Sequence, residues 1–369
     1  MYSLYFVASL FSLSKFLINT LTFLYTLFEI MRYLFTPTTN FKALNLYISK
    51  QAKIFLCTKN SCTLILVICI LLMQKSGHAQ LRWQQDDSVK LPKGIQLYYS
   101  NDSIEGKPNI AYYIKADLHN AQLLFDVDTT KGRRLTPQAF YNKNNNPTVV
   151  VNGTFFSYAT NQNLNTVIKN GKPLAYNIAT TKGRGNDSAS LVKMYRAAIG
   201  ISKNRKADVA WINSDSSYKS RARQKPIIPY LYRQLPDRKL AHLFKKWKVN
   251  TAIGGGPVLV QKGAMLITNN EELLFAGTAK YDKHPRTAMG YTKSGHLIIL
   301  VIEGRNVGKA EGANLVQEAA ILLDIGCYEA LNLDGGGSSC MLVNGKQTIT
   351  PSDKTGQRAV PAVFMIKQK

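Results

Sequence analysis

Beyond residue 80 the chain alternates short apolar runs with turn residues. Residues 95–99 (IQLYY), 110–114 (IAYYI) and 123–127 (LLFDV) are rich in β-branched and aromatic side chains and predict strands. Residues 148–151 predict another, running into Asn152-Gly153-Thr154-Phe155-Phe156. Asn170-Gly171 within 168–174 and Asn344-Gly345 within 342–347 mark hairpins, because a two-residue turn favours positive φ at both positions. Further strand pairs are expected at 197–201 with 209–212, across 257–267 around Gly263, and at 287–291 with 297–301. A last strand covers 360–366.

Helical periodicity is clear once, at 315–323 (LVQEAAILL), with Asn314 placed to cap its N-terminus and Gly326 its C-terminus. The chain then enters a strand at 330–333 and a loop of three glycines. Many strands and few helices predict an α+β fold, a mixed or antiparallel sheet core whose glycine-rich loops converge on one site.

Residues 1–79 read as a targeting segment ahead of a domain at 80–369. Residues 64–73 (LILVICILLM) are apolar, Lys53 and Lys59 precede them, and Gly77-His78-Ala79 offers small residues before a cut at Gln80. That is the three-part pattern of an export signal. The run is short for a spanning helix, though an uncleaved anchor is the alternative and would be the chain's link to a membrane. Residues 1–35 are apolar and aromatic, and read as a first membrane helix or as sequence upstream of a true start at Met31 or later. The expected location is exported: periplasmic, outer-surface or secreted. Cys327 and Cys340 are the cysteines beyond the signal, enough for a single bridge but not a disulfide framework.

Charge narrows the partners. The formal net charge is +25, of which residues 1–79 carry +6 and the remainder +19. Such a field favours anionic ligands: phosphorylated or acidic glycans, lipid head groups or nucleic acid. No zinc-finger spacing, RRM signature or helix-turn-helix is present, so nucleic acid is not the expected partner. Residues 218–248 concentrate Lys and Arg around an amphipathic piece (DRKLAHLFKKWK). They read as a solvated, partly helical basic insertion, or as a lid or surface for anionic polymer.

Chemistry concentrates at Asn332-Leu333-Asp334-Gly335-Gly336-Gly337-Ser338-Ser339. Consecutive glycines lose backbone entropy on folding and fit where the chain bends sharply or a ligand approaches closely. Their N–H groups can form an anion-binding nest, or the loop can be a tight turn with a solvated aspartate. No Lys follows, so this is not a nucleotide-binding P-loop. Gly255 lies in a second cluster, Gly254-Gly255-Gly256. Arg286, in His284-Pro285-Arg286, can bind phosphate bidentately or form a surface ion pair. Glu303 and Arg305 leave the apolar strand LIILVI at a sheet rim. Glu318 lies mid-helix among apolar residues, either exposed or buried with a partner.

The ordered series VVVNGTFF, IGGGPVLVQKG, HPRTAMG, IEGR, GANLVQEAAILL and NLDGGGSSCMLVNG closely resembles the phosphodiester glycosidase family, from about residue 148 to the C-terminus. The resemblance implies release of N-acetylglucosamine from a sugar-1-phosphate diester. It carries the family's polar positions onto Asn152, Arg286, Glu303, Arg305, Glu318, Asn332, Asp334 and Ser338; many members have Asp at the Glu303 position. Asp334, Glu303 and Glu318 are the expected catalytic carboxylates. Arg286, Arg305, Asn152, Asn332, Gly255, Gly335, Gly336, Gly337 and Ser338 would bind substrate and phosphate. His284 is a candidate acid or a plain loop histidine beside Pro285. No cofactor is required, although calcium held by Asp334, Glu303 and carbonyl oxygens fits the ligand types. Two other functions share these residues: a non-catalytic binder of anionic glycan or exopolysaccharide, and a phosphodiesterase cutting P–O.

Overall fold

The computed structural model describes residues 81–214, 220–232, 240 and 242–369, and the readings made for 1–79 lie outside them. Every strand pair described is antiparallel. One sheet of eight strands runs in the order Gln84–Gln85, Ile95–Ser100, Ala111–Asp117, His296–Ile302, Arg286–Thr292, Cys327–Asn332, Val258–Gln261 and Ala264–Met265. A seven-stranded sheet is centred on Ala207–Ser214, Arg196–Ile201 and Thr251–Gly254. A five-stranded sheet is centred on Val149–Asn152 and Ala362–Gln368. Three short strands make a fourth sheet.

The apolar runs explain the layering. Along His296–Ile302, Leu297, Ile299 and Val301 enter a central core shared by the three large sheets. Ile298, Leu300 and Ile302 enter a second core under helix α1, Leu315–Asp324. This strand is buried on both faces, so its run is continuously apolar. Ala362–Gln368 behaves alike: Phe364 and Ile366 face the central core, while Val363 and Met365 face a third cluster that contains Phe140. Phe140 belongs to a second helix, α2, Pro137–Lys143, which has no clear helical periodicity in the sequence. Its signals were local. Thr136 accepts from the Ala139 amide at 3.1 Å, and Pro137 occupies the first turn, where its missing N–H is not needed.

Helix α1 is capped as its sequence implies. Asn314 accepts from the Val316 and Gln317 amides at 2.9 Å, Gln317 returns a bond to the Asn314 amide, and Gly326 follows at φ +94°.

Packing bears on two readings that the sequence leaves open. Cys327 and Cys340 are both free and buried, because they enter different cores, one under α1 and the other under α2. The basic stretch 218–248 contributes strands Ser220–Arg223, Tyr230–Leu231 and Lys245–Lys246, and Ile227 and Phe244 enter the central core. Residues 233–239 and 241 of that stretch lie outside the described ones.

Candidate active site

Antiparallel register brings distant segments to one rim. Arg286 stands opposite Ile302, the residue before Glu303, and Ala288 stands opposite Asn332. The Asp334 amide bonds the Gly153 carbonyl at 3.0 Å, drawing in the end of Val149–Asn152 from the five-stranded sheet. Glu303 and Asp334 thus leave strands separated by one intervening strand, with backbones roughly 10 Å apart by two strand spacings.

The glycine loop is pinned from below and covered from above. The Gly336 amide donates to the Pro285 carbonyl at 2.8 Å, and Gly336–Ser338 forms a single 3₁₀ turn with Gly336 at φ +59°. A side chain at Gly336 would meet the Arg305 guanidinium, and one at Gly337 would overlap that of Arg358. Both guanidiniums therefore lie against bare backbone. Arg305 is exposed, and its Nη2 is 3.4 Å from His284 Nδ1. Arg358 is held by Asp353 at 2.6 Å.

Asp334 heads this loop. Its Oδ2 is enclosed and has no hydrogen-bond partner. Burial raises its carboxyl to about 7, against the opposing pull of the Ser338 hydroxyl, Arg358 and the Gly335 amide. The Ser338 hydroxyl lies close by without a well-aligned bond. Glu303 is 2% exposed; its Oε2 accepts from the Thr350 amide at 2.9 Å and its Oε1 is enclosed and unpaired.

On the α1 side, Glu318 is fully buried with both oxygens unpaired. Burial raises it to about 8, and the charge of Arg286 works the other way. Arg286 donates from Nε to the Ala313 carbonyl at 2.8 Å and from Nη2 to the Asp282 carbonyl at 2.9 Å, with its guanidinium over the Phe275 ring. Two of its three nitrogens are committed to main chain, which ties Arg286 to the loops around His284. His284 is held below its usual pKa by burial and then by Arg286 and Arg305.

Other expected ligands also turn inward. Asn152 is fully buried, donates to the Asp334 carbonyl at 2.5 Å, and accepts from Thr287 Oγ1 and the Cys340 amide. It sets the loop's position from beneath. Asn332 donates to the Gly256 and Leu333 carbonyls at 2.8 and 2.6 Å, leaving its Oδ1 unpaired. Any side chain on Gly255 would overlap the Asn332 carbonyl, so this glycine serves close packing between sheets.

Sequence reasoning missed Arg358 and Glu272. Arg358 sits in a polar turn with no local pattern, and its role comes from reaching back over Gly337. Glu272 follows another glutamate and reads as solvated. It is in fact fully buried, accepting from Thr268 Oγ1, the Ala197 and Val258 amides and Trp211 Nε1 at 2.6–3.2 Å. Burial raises it to about 6. Among the described residues no three His, Cys, Asp or Glu side chains gather as a metal-binding cluster.

The phosphodiester glycosidase family model matches residues 145–367. Over 68 residues the chain is 40% identical to N-acetylglucosamine-1-phosphodiester alpha-N-acetylglucosaminidase of Bos taurus, which is 18% of this chain and 12% of that protein. Over 71 residues it is 39% identical to an uncharacterized prophage-derived protein of Bacillus subtilis, covering 19% and 11%. The chain thus spans about an eighth of the length of the curated relatives it matches. The fold resembles the catalytic domain of zebrafish N-acetylglucosamine-1-phosphodiester alpha-N-acetylglucosaminidase, auto-inhibited there by its pro-peptide. The TM-score is 0.51 at 21% identity, over 80% of this chain and 92% of that one. A hypothetical protein from Synechocystis gives a TM-score of 0.53 at 16% identity, over 78% and 64%. With the family model covering more than half of its length, the chain belongs to the phosphodiester glycosidase family.

Proposed function

We propose that the protein hydrolyses the bond between the anomeric carbon of an N-acetylglucosamine-like sugar and a phosphodiester, releasing free sugar and a phosphomonoester. Family membership supports this reading. The observation that carries it is the glycine loop itself: an enclosed carboxyl raised to about 7 beside two guanidiniums laid on Gly336 and Gly337.

Each part has a chemical task. The Arg305 and Arg358 guanidiniums and the loop N–H groups hold the departing phosphate, in a site preorganised for negative charge. Asp334, poised near neutral pH, takes a proton from the attacking water. Glu303, oriented by the Thr350 amide, stabilises positive charge developing at the anomeric carbon. Phosphate is already a good leaving group, so no strong acid is needed. Arg286 and Glu318 act indirectly, fixing the segment that carries His284.

The test is release of free sugar from a methyl phosphodiester of N-acetylglucosamine-1-phosphate by the full chain in ¹⁸O water. Label in the sugar, and loss of turnover by about 10³-fold in Asp334→Asn, are expected. Label in the phosphate would assign P–O cleavage. Tight binding without product would make the protein a glycan binder. Activity is expected to survive EDTA; loss that calcium restores would place an ion between Asp334 and Glu303.

We propose export by the apolar run at 64–73. Among the described residues no helix is long and apolar enough to cross a membrane. Intact mass of the product from a secreting host should correspond to a chain starting at Gln80.

A further inference from the structure

Next to the glycine loop lies a shelf that the mechanism does not use. Tyr158 is 61% exposed, yet it is not loose. Its ring packs at 4.9 Å on Phe156, and the Arg134 and Arg358 guanidiniums lie 5.1 and 5.7 Å from its centroid. Arg134 also covers Phe156 at 5.2 Å. The segment carrying Arg134 is tied to the tyrosine loop by the Asn161 side chain, which donates to the Gly132 carbonyl at 3.3 Å.

Three guanidiniums gather here: Arg305 lies on Gly336, Arg358 on the adjacent Gly337, and Arg134 and Arg358 both lie over Tyr158. Arg358 is paired with Asp353 through Nε, whereas Arg134 has no carboxylate partner among the described residues. Exposed Lys131 and Arg133 precede it, and neither forms an ion pair among the described residues. A fixed aromatic ring, largely exposed and with a guanidinium over it that has no carboxylate partner among the described residues, suits a sugar ring that carries an anionic group, packed on the tyrosine and paired by the arginine.

We infer that Tyr158 and Arg134 form a leaving-group subsite, which recognises an anionic sugar residue on the far side of the scissile phosphodiester. This deepens the hydrolase reading and rests on it for the position of the scissile bond. The preferred substrate would then be a diester whose leaving group is an anionic sugar, a sugar phosphate or a uronate, rather than an uncharged one.

Calorimetric binding to the full chain tests the subsite without requiring turnover. The probes are methyl glucoside 6-phosphate, methyl glucuronide and methyl glucoside. The charged probes should bind about tenfold more tightly than the neutral one, with the advantage shrinking as salt rises. Arg134→Gln should reduce that ratio to about one, and Tyr158→Ala should weaken all three probes together. Where the glutamine variant melts early, Arg134→Lys, which keeps the charge without the planar fork, should retain part of the preference. Equal affinity for charged and neutral probes, or a preference unchanged in folded Arg134→Gln, would overturn the subsite. Comparing phosphate with uronate tells which anion the natural glycan carries. Sugar release from the methyl phosphodiester, run in parallel, judges the hydrolase reading separately.

Discussion

Asp334 and Glu318 show how single residues link stability to chemistry. Both are acids whose folded pKa lies above the usual carboxylate range, at about 7 and about 8, because burial disfavours the charged form. A group of this kind contributes stability that is fully present below its unfolded pKa, near 4.5 for Glu318, and lost as pH rises through the folded value. Melting temperature should therefore fall between about pH 5 and pH 8, and Glu318→Gln, which cannot ionise, should flatten that slope. Thermal melts across the range check it; an unchanged slope would show that Glu318 is not the group responsible. Arg358 is the residue whose loss should separate binding from folding. Arg358→Ala removes charge above Gly337 and should lower kcat/KM for a phosphodiester about 10²-fold, with little change in melting temperature.

At the scale of elements, the site depends on sheets held at a fixed separation. Glu272 joins two of them: it accepts from Ala197 and Trp211 of the seven-stranded sheet and from Val258 of the eight-stranded sheet. The glycine cluster 254–256 crosses the same junction, with Gly255 donating to the Ala197 carbonyl at 3.0 Å and Gly256 to the Asn332 carbonyl at 2.7 Å. Glu272→Ala would strand several buried donors and should destabilise the fold by about 3 kcal/mol, read by denaturant unfolding. The loss should exceed that of Asn314→Ala, which removes one helix cap and costs about 1 kcal/mol. Activity would fall in the first variant through displacement of Asn332, two residues before Asp334.

Across the molecule, three sheets share a central core and each of two helices seals an outer face. Strand ends from two sheets meet at one rim, where strand register sets the origin of each loop. The excess of +19 beyond residue 79 surrounds this frame with a field that attracts anions. KM for an anionic diester should therefore rise several-fold from about 0.05 to about 0.5 M NaCl, while kcat changes little. Steady-state kinetics at the two salt concentrations distinguish this from a general loss of activity, in which both parameters would move.

Much of this was written locally along the chain. The apolar runs marked the principal strands, Asn-Gly pairs marked two hairpins, and Asn314 and Gly326 bounded the long helix, because each depends on backbone preferences that act over a few residues. The triple glycine announced a special loop for the same reason. Tertiary structure alone decided what those glycines face: Arg305 on one and Arg358 on the next, brought from 31 positions before and 21 after by strand register. It also turned Asn152, Asn332 and Arg286 toward main-chain carbonyls, and placed Glu272 beneath the glycine junction. Hydrogen bonds and burial between residues far apart in the chain leave no local periodicity, so their partners exist only once the sheets have packed.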